Sequence, residues 1–578
     1  MSTHKRIDSV CIAAVLLAIV LTVLLINGRA LGIVSVMSAE VSDGMFTAKD
    51  LDADWNPSSA TRIMLSDQGT AIDGNGAYVY EGNVCIAYAG TYVLTGELTD
   101  GSVVIDADKS DDIWILLDDV TLHCDDDAAF RVEQADKVFL TLAEGTKNTI
   151  SSGAQYNEES IASGTDGVIY SRDDLTINGT GELVIDAAYR HGIVCNDDCV
   201  IAGGDITINA AEDGIHANDS VRIRDAAISI AAGDDGITVS NDEETSFIYV
   251  ASGSISISEC YEGLEAVDIT IAGGTIDLAP TDDGINANGY GENSVIRITG
   301  GDITIINPSG RDADGLDSNG DIYIEGGRTF ISVTDGGGNC ALDCGSENGG
   351  ECIVSGGTVI ACGGSAMAEG FDADSPQGFL MHSAKGAAGT TIRLSDSQGR
   401  ELLSEEIPCS FSSAVISTPA LKIGDICTIE IGGAQEQVTI DNSSQESFMA
   451  MGMRGGGMRG GSRPNGMKSF DKAETSEVEK KPGRPERSDG EGQLEKPKMF
   501  DGESQPERPA MFDERSLPDK SDMWGNDENR PNRQEMPGNG EMPFEPGGAQ
   551  GQGSTLILLG ISILALLSGL FMAMKIKY

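Results

Sequence analysis

The chain has 578 residues and is strongly acidic, with 38 Lys and Arg against 92 Asp and Glu and a formal net charge of −54. This charge disfavours nucleic acid as a partner, because phosphates would be repelled, and it favours cations or something carried by cations. Glycine is abundant at 74 residues, whereas aromatic residues make up only 5%. Such a composition suits tight turns between short strands better than a large globular core.

The first residues have the features of an export segment. His4, Lys5 and Arg6 precede an uncharged run, rich in Leu, Val and Ile, from Ser9 to Gly28. A signal peptide and a retained N-terminal anchor both require this pattern. We assign residues 1–39 to the segment and leave open whether it is cleaved or kept as an anchor.

A stalk and a membrane helix are predicted after residue 446. Eleven of the seventeen prolines lie between residues 447 and 553, and this Pro-, Gly- and Met-rich stretch is predicted to be disordered. Residues 554–575 contain an uncharged apolar run long enough to span a bilayer as a helix, followed by Lys575 and Lys577, which favour the cytoplasmic side. We therefore expect a cell-membrane protein whose ectodomain faces the outside.

An acidic turn recurs through the middle of the chain. It occurs as AEDGIHAND (211–219), GDDGITVSND (233–242), TDDGINANG (281–289) and DADGLDSNG (312–320). The turn glycine or its equivalent is expected at these positions: Gly167, Gly192, Gly214, Gly236, Gly263, Gly284, Gly315, Ala341 and Gly370. A unit that recurs every 20 to 50 residues or so indicates a solenoid.

The pattern within one unit indicates which solenoid. In residues 213–233, Ile215, the pair Val221 and Ile223, and the pair Ile228 and Ile230 form three short runs with period two. Helical spacing is absent, and the runs lie too close together for crossover helices. We therefore predict an all-β protein whose fold is a parallel β-helix, and the long, variable units favour the right-handed form.

The flanking regions are predicted to close the ends of the β-helix. Residues 45–150 are interpreted as less regular N-terminal β coils, residues 151–380 as the repeats, and residues 381–446 as a small β-rich C-terminal cap. A cap is needed because an open solenoid end exposes strand edges. Disulfides between Cys352 and Cys362 or Cys409 and Cys427 are compatible with the spacing, but we interpret most cysteines as small apolar fillers of a narrow core.

The stacked turns predict columns of like charge. Equivalent residues on successive coils lie about 4.8 Å apart, and like charges at that spacing repel by roughly 1 kcal/mol in water and more near a protein surface. Asp and Asn also occur in turns for local reasons, as caps of nearby N–H groups beside a glycine of positive φ. Doubled acids exceed what that explanation requires, and calcium, which takes six to eight oxygen ligands, fits them. The predicted calcium ligands are Asp213, Asp234, Asp235, Asp282, Asp283, Asp312, Asp314 and Asp317.

Three stretches resemble a known family. AGTYVLTGELTDGSVVIDADKSDDIWILLDDVTL (89–122), FLTLAEGTKNTIS (139–151) and DGVIYSRDDLTINGTGELVI (166–185), together with the DDGI repeats, look like bacterial secreted carbohydrate-binding β-helix proteins related in fold to calcium-dependent pectate lyases. The resemblance covers about residues 60–445. It implies a right-handed parallel β-helix, bound calcium, and binding to plant cell-wall polysaccharides such as polygalacturonate (pectin) and cellulose.

The resemblance does not distinguish a binding protein from an enzyme. A pectate lyase of this fold uses calcium and a Lys or Arg base, but the chain has no lysine between Lys147 and Lys385. Arg311 is the arginine to test as a base, although salt bridging within its acidic turn explains it better. We therefore expect a noncatalytic, monomeric, calcium-dependent carbohydrate-binding protein, with a polysaccharide lyase or glycoside hydrolase on the same scaffold as the alternative.

Aromatic residues near the turns are the candidate sugar contacts. Tyr189, Tyr261 and Tyr290 lie at or near the turns, where stacking on a sugar ring competes with simple burial. A flat cellulose platform would need more of them, which favours an acidic polysaccharide. His191 and His216 lie one repeat apart and are interpreted as polar fillers rather than metal ligands.

Overall fold

The structure is a computed structural model of the full chain, and it describes residues 44–54, 59–241, 245–289, 294–308, 313–336, 338–346 and 349–442. The chain divides into two compact units, residues 1–463 and 464–578, and every described residue belongs to the first. The predicted export segment, stalk and membrane helix lie outside the described residues, as do Tyr290, Arg311 and Asp312. Among the residues that are described, no helix has the length and apolar character needed to cross a membrane.

The N-terminal coils contain the first ten strands and one short helix. Their bounds are β1 (Thr61–Leu65), β2 (Ala71–Asp73), β3 (Ala77–Tyr80), β4 (Asn83–Ile86), β5 (Gly90–Leu98), β6 (Val103–Asp106), β7 (Asp112–Cys124), β8 (Phe130–Gln134), β9 (Lys137–Leu142), β10 (Lys147–Ser152) and α1 (Glu158–Ala162). The pairs β1–β2 and β3–β4 are antiparallel, whereas β1–β5, β4–β6 and β5–β7 are parallel. The coiled pattern therefore begins within this region, after two antiparallel pairs.

The repeats continue the coils, and their strands are shorter after β14. Their bounds are β11 (Gly167–Ser171), β12 (Asp174–Ala187), β13 (His191–Cys195), β14 (Asp198–Ala210), β15 (Ile215–Ala217), β16 (Ser220–Ile223), β17 (Ala227–Ala232), β18 (Ile237–Val239), β19 (Phe247–Val250), β20 (Ser254–Cys260), β21 (Leu264–Ala266), β22 (Asp268–Ile271), β23 (Thr275–Pro280), β24 (Ile285–Ala287), β25 (Val295–Ile298), β26 (Asp302–Asn307), β27 (Leu316–Ser318), β28 (Asp321–Ile324), β29 (Arg328–Val333), β30 (Leu342–Cys344), β31 (Cys352–Val354) and β32 (Thr358–Gly363). From β15 onward each coil contributes three short strands, as the spacing of apolar residues predicts.

Two large sheets form the wall of the β-helix. A 12-stranded sheet takes one short strand from each coil, in the order β3-β4-β6-β8-β11-β13-β15-β18-β21-β24-β27-β30. A 22-stranded sheet contains the other strands of the coils, and the long strands β7, β12 and β14 join its two faces. The predicted all-β parallel β-helix is therefore confirmed, whereas its handedness stays a prediction.

The interior is filled by stacked aliphatic side chains. One column runs through Ile208, Ile230, Ile257, Leu278 and Ile305, which occupy the same register position on successive coils. Each of these side chains is at most 2% exposed. Because β-branched residues fit a pleated surface and alternate residues point inward, the period-two pattern fixes which residues fill the core.

The register agrees with the predicted repeat except at its two ends. Ile169 pairs with Ile193, so Val168, rather than the expected Gly167, is the counterpart of Gly192. Gly370 was expected to begin another repeat, but the 12-stranded sheet ends at β30. The next residue, Phe371, is instead buried against Phe379 in an edge-on contact of 5.6 Å between ring centroids. At this position, packed aromatic side chains take the place of a further strand.

The turn glycines are required by close approach between coils. None of the six from Gly192 to Gly315 has a positive φ, so the local explanation by a left-handed turn does not apply to them. Instead, a Cβ added at Gly236 would lie 2.7 Å from the carbonyl oxygen of Gly263, and one at Gly284 would lie 2.5 Å from that of Gly315. A side chain at these positions would push neighbouring coils apart.

A segment that we call the N-terminal strap, residues 44–54, crosses the outer face of the 22-stranded sheet. The Asp50 carboxylate accepts a hydrogen bond from Thr176 at 2.7 Å and pairs with Lys137 at 2.9 Å. Arg222 donates to the carbonyl of Met45 at 3.0 Å. The strap therefore joins coils that are far apart in sequence.

The C-terminal end is closed by antiparallel strands. Their bounds are β33 (Phe379–Gly386), β34 (Thr390–Asp396), β35 (Glu401–Ile407), β36 (Phe411–Ser417), β37 (Ile426–Ile431) and β38 (Ala434–Thr439). Strand β36 pairs with the last coil strand β32 on one side and with β33 on the other, both antiparallel. The remaining four form a separate sheet in the order β35-β34-β37-β38 over a second apolar core. The predicted β-rich cap is confirmed.

The cysteines serve as core residues. All eleven in the described part of the chain are free and buried. Neither Cys352 and Cys362 nor Cys409 and Cys427 form a disulfide. This agrees with the interpretation of most cysteines as small apolar fillers.

Candidate functional site: the acidic face

Three parallel columns of polar side chains line one edge of the 12-stranded sheet, and we call them together the acidic face. The inner column holds the residue before each turn glycine or its equivalent: His191, Asp213, Asp235, Glu262, Asp283, Asp314 and Cys340. The leading column holds the residue before that on four successive coils: Glu212, Asp234, Tyr261 and Asp282. The outer column lies on the short strands three residues after the inner column: His216, Thr238, Glu265, Asn286, Asp317 and Asp343.

The inner column is held together by hydrogen bonds between coils. Oδ1 of Asp213 accepts from the backbone N–H of Asp235 at 3.1 Å, and Oδ1 of Asp235 accepts from that of Glu262 at 3.2 Å. Oδ1 of Asp283 accepts in the same way from Asp314 at 2.6 Å. Each of these carboxylates therefore caps the turn of the next coil, whereas a local turn explanation would place the cap within its own coil.

The outer column supplies further donors to the carboxylates. Thr238 donates its hydroxyl to Glu265 at 2.8 Å, and the amide of Asn288 donates to the same carboxylate at 2.7 Å. The amide of Asn286 donates to Glu262 at 3.0 Å. Neutral donors thus compensate part of the negative charge, but they bring no positive charge to it.

Burial and mutual repulsion keep three inner carboxyls from ionising. Burial raises the pKa of Asp235 to about 9, with further contributions from the charges of Glu265 and Asp213. Burial, followed by the charges of Glu265 and Asp235, raises the pKa of Glu262 to about 10. Burial and the charges of Asp317 and Asp314 raise the pKa of Asp283 to about 9. In the absence of a cation, the folded chain retains protons at these positions at neutral pH.

Asp213 is the exception in the inner column. Burial alone would raise its pKa, but hydrogen bonds and charge from His191 and His216 hold the pKa of this carboxyl well below its usual range. Its side chain is as buried as that of Asp235, so the two histidines account for the difference. The first coil of the acidic face therefore differs chemically from the coils that follow.

The donor set of the later coils fits calcium. Asp235, Glu262 and Glu265 bring carboxylate oxygens within 4.8 Å of one another, and Glu262 does the same with Asp282 and Asp283. Calcium prefers several oxygen ligands in flexible geometry, and a dication removes the repulsion that raises the pKa of these groups. The residues present therefore suit the ion that the family resemblance implies.

The structure gathers most of the predicted calcium ligands on the acidic face. Asp235, Asp283 and Asp314 stack in the inner column, and Asp234 and Asp282 lie beside them in the leading column. Asp317 lies in the outer column. Asp312 is outside the described residues, and the role of each as a ligand stays a prediction.

The predicted sugar-contacting tyrosines lie in different environments. Tyr189 is partly buried and stacks on Tyr156 with 4.3 Å between ring centroids. Tyr261 belongs to the leading column of the acidic face, where a hydrogen bond to Asp282 adds to burial in raising its pKa. Tyr290 lies outside the described residues. Of the two that are described, Tyr261 is the one adjacent to the carboxylates.

Sequence reasoning missed Glu262 and Glu265. Their turn reads CYEGLEAVD (260–268), in which Tyr and Glu replace the two aspartates of the DDG pattern. Aligning the residue before each turn glycine, without requiring Asp, would have identified Glu262, and the third residue after it would have identified Glu265. The longer Glu side chain reaches the neighbouring coil, which an Asp-based motif does not anticipate.

The 22-stranded sheet carries a different set of outward residues. Tyr249, Thr270, Arg297 and Tyr323 occupy one register position on β19, β22, β25 and β28, and we call them the Tyr–Arg column. The Arg297 guanidinium lies 4.5 Å from the centroid of the Tyr323 ring. A repeated three-residue motif could have revealed this column. In IYV, ITI, IRI and IYI, two apolar residues flank the residue that points outward.

Comparison with known proteins gives one family match, one similar protein and one similar solved structure. A family model described as carbohydrate-binding domain-containing protein matches residues 80–338. A protein of that description from Acetivibrio thermocellus is 32% identical over 153 residues, which is 26% of this chain and 54% of the relative. The chain thus spans about half the length of that relative. The gadolinium derivative of a polysaccharide lyase-like protein from C. thermocellum is similar at 29% identity, covering 46% of this chain and 96% of that one, with a TM-score of 0.38.

The fold is that of a parallel β-helix protein. The family match over residues 80–338 confirms the predicted resemblance to carbohydrate-binding parallel β-helix proteins over this part of the chain.

Proposed function

We propose that this chain is a cell-surface, calcium-dependent, noncatalytic binding protein for acidic plant cell-wall polysaccharide, with polygalacturonate favoured over cellulose. The observation that carries the proposal is the set of three buried inner-column carboxyls, Asp235, Glu262 and Asp283, whose pKa values lie at about 9 or 10. Carboxyls on successive coils that resist ionisation form a site that a divalent cation stabilises.

The chain's own residues have distinct roles in this proposal. Asp235, Glu262 and Asp283 would hold calcium from the inner column, and Glu265 and Asp282 would hold it from the adjacent columns. Bound calcium supplies a hard cation that also accepts oxygen ligands from a uronate carboxylate. Thr238 and Asn288 hold the Glu265 carboxylate in place through their hydrogen bonds. Without a cation, the acidic face would repel a uronate polymer.

The ion pairs made by the described arginines of the repeats support binding without catalysis. Each of the described arginines between Lys147 and Lys385 pairs with a carboxylate: Arg172 with Glu133, Arg190 with Asp166, Arg222 with Asp198, Arg224 with Asp225, Arg297 with Glu325 and Arg328 with Asp302. An arginine held in an ion pair stays protonated and is a poor general base. Arg311 lies outside the described residues.

The described residues offer few aromatic contacts for a sugar, and this supports an acidic ligand over crystalline cellulose. Tyr189 already stacks on Tyr156, and Tyr261 is engaged with Asp282. A flat sugar chain would need a row of free aromatic faces. The expected display on the cell surface rests on the apolar segments at the two ends of the sequence.

Binding and product formation should be measured on the same sample. The full-length chain, purified in detergent, is incubated with polygalacturonate in calcium and in chelator, while unsaturated ends and reducing ends are assayed. We expect retention on polygalacturonate that requires calcium, without new ends of either kind. The Asp235→Asn/Asp283→Asn variant should lose retention, whereas Asp277→Asn, an exposed aspartate on β23, should keep it. Calcium-dependent unsaturated product would establish the lyase alternative, and new reducing ends without unsaturation would establish a hydrolase.

A further inference from the structure

Two imidazoles converge on one buried carboxylate at the first coil of the acidic face. Nδ1 of His191 lies 3.1 Å from Oδ2 of Asp213, and Nδ1 of His216 lies 2.9 Å from the same oxygen. The side chains of His191 and Asp213 are each only 4% exposed, whereas that of His216 is 21% exposed. We infer that His191, Asp213 and His216 bind a transition-metal dication of the zinc class, at a site chemically distinct from the calcium-type carboxylates of the later coils.

The two imidazoles approach the same carboxylate oxygen through their Nδ1 atoms. The backbone N–H of Asp213 also lies 3.1 Å from Nδ1 of His191, so this nitrogen faces both a donor and the carboxylate acceptor. Either a proton on Nδ1 or a cation beside it balances the carboxylate charge. A metal ion bound at Nδ1 would take the place of the N–H contact and can be shared with His216.

The separation of the donor atoms suits tetrahedral coordination. Zinc binds histidine nitrogen and carboxylate oxygen at about 2.0–2.2 Å, which places the ligand atoms roughly 3.3 Å apart around a tetrahedron. The observed distances of 2.9 and 3.1 Å to Oδ2 of Asp213 lie near that value. The three donor atoms all fall within 4.8 Å of one another. Small shifts of the side chains would complete the coordination.

The surroundings of His191 resemble the outer shell of a metal site. Its other nitrogen, Nε2, lies 3.5 Å from a carboxylate oxygen of Glu212 and 3.9 Å from one of Asp166. Metal-binding histidines commonly donate their second N–H to a carboxylate, which fixes the tautomer and orients the ring. Arg190 pairs with Asp166 at 3.3 Å and holds that carboxylate in place.

The ligand types decide between metals. Imidazole suits zinc and its neighbours in the first transition row, whereas calcium prefers oxygen throughout. His191 and His216 are the two histidines among the described residues of the acidic face, and the next four coils carry oxygen donors at the equivalent positions. One face therefore offers a nitrogen-containing site at one coil and oxygen sites at the next. The partly exposed ring of His216 leaves one side open to solvent for a fourth ligand.

The test is zinc binding in the presence of excess calcium. The full-length chain is stripped with chelator and titrated with Zn²⁺ by calorimetry, and the zinc content is determined after desalting. We expect one tightly bound Zn²⁺ per chain, and X-ray absorption at the zinc edge should show two imidazole ligands. Affinity should fall as pH falls, because the histidines must be deprotonated to bind.

Two variants make the assignment specific. His216→Ala removes a partly exposed ligand, and we expect the zinc affinity to fall on the order of 100-fold or more. His123→Ala is the matched control, because His123 also lies beside a carboxylate, 3.0 Å from Asp125, but without a second imidazole. The control should bind zinc like the wild type. Equal affinity in wild type and His216→Ala, or no zinc retained by the wild type after desalting, would overturn the inference and leave a proton-bridged His–Asp–His group.

The inference can fail separately from the proposed function. His216→Ala should retain calcium-dependent binding to polygalacturonate, because Asp235, Glu262 and Asp283 are unchanged. His191→Gln provides a second variant that keeps a polar side chain at the buried position, and it should also lose zinc. If both variants fold, as judged by an unchanged melting temperature in chelator, loss of zinc identifies the site directly.

Discussion

The acidic face and the Tyr–Arg column belong to the same coils, but the side chains stacked on them interact differently. On the Tyr–Arg column, Arg297 lies over Tyr323 and pairs with Glu325, so opposite charges and ring faces attract along the stack. On the acidic face, Asp235 and Glu262 repel each other, and both carboxyls resist ionisation. A stack of like charge stores unfavourable energy that a cation can release, whereas a stack of paired charges does not respond to one.

The interior explains why two such different faces can coexist. The aliphatic column from Ile208 to Ile305 sets the coil and is buried throughout. Outward residues contribute little to that core and are free to differ from one side to the other. The comparison therefore separates what holds the β-helix together from what its surfaces bind.

The largest effect is expected where the coils approach most closely. A Cβ in Gly284→Ala would lie 2.5 Å from the Gly315 carbonyl oxygen and 2.6 Å from a methyl group of Ile305. We expect the variant to lose at least about 3 kcal/mol of unfolding free energy, because neither neighbour can move without disturbing the coil. The measurement is the urea midpoint.

Gly433→Ala, in the hairpin between β37 and β38, is the control for the glycine variant. Its Cβ would meet nothing within 4 Å, and only its positive φ of 89° opposes the substitution. We expect a loss of about 1 kcal/mol. Similar midpoints for the two variants would contradict the role of close approach.

A smaller effect is expected from pH and calcium on the acidic face. Asp235, Glu262 and Asp283 have folded-state pKa values raised to about 9, 10 and 9 from ordinary values of 3.8, 4.5 and 3.8. The folded chain therefore binds more protons than the unfolded chain between these limits, so calcium-free stability falls as pH rises from about 4 to about 9. Calcium should restore the melting temperature, and more so at pH 8 than at pH 5.

One substitution isolates this effect. Asp283→Asn keeps the oxygen that accepts from Asp314 but removes the ionisable group. We expect a higher calcium-free melting temperature at pH 8 and a smaller gain on adding calcium. Asp277→Asn, on an exposed strand position, should leave both values unchanged within about 0.5 kcal/mol. If calcium raises the melting temperature of Asp283→Asn as much as that of the wild type, Asp283 does not contribute to the calcium site.

The smallest effect is expected on the Tyr–Arg column. Arg297→Ala removes a partly exposed ion pair and a cation–π contact, which together stabilise by about 0.5–1 kcal/mol. The loss should shrink at high salt and should not depend on calcium, as a melting series in both conditions would show. A calcium-dependent loss would mean that the two faces are coupled.

The sequence predicts what depends on local periodicity. The alternation of Val221, Ile223, Ile228 and Ile230 determines short strands with inward apolar residues, and the recurring turn determines that carboxylates stack. These features need only neighbours within one coil and the repeat distance. The expectation of a parallel β-helix with a β-rich cap was correct for that reason.

The features that were missed depend on contacts between distant residues. The capping of the Asp235 N–H by Asp213 crosses from one coil to the next, and the strap contact between Asp50 and Thr176 spans 126 residues. Periodicity also does not show that Gly236 is needed for a carbonyl 2.7 Å away rather than for a left-handed turn. The pairing of His191 and His216 around Asp213 likewise appears only once the coils are stacked.

The hydrogen bonds of the inner column give the β-helix a direction. Each carboxylate of this kind accepts from the coil that follows it, so one end of the array offers an unmatched donor and the other an unmatched acceptor. His191 receives the donor at the first coil, and Cys340 supplies a donor to Asp314 at the last. Whole coils inserted or deleted between these two residues would leave the same acceptor at the first coil and the same donor at the last, so this surface can lengthen by duplication while its ends stay unchanged.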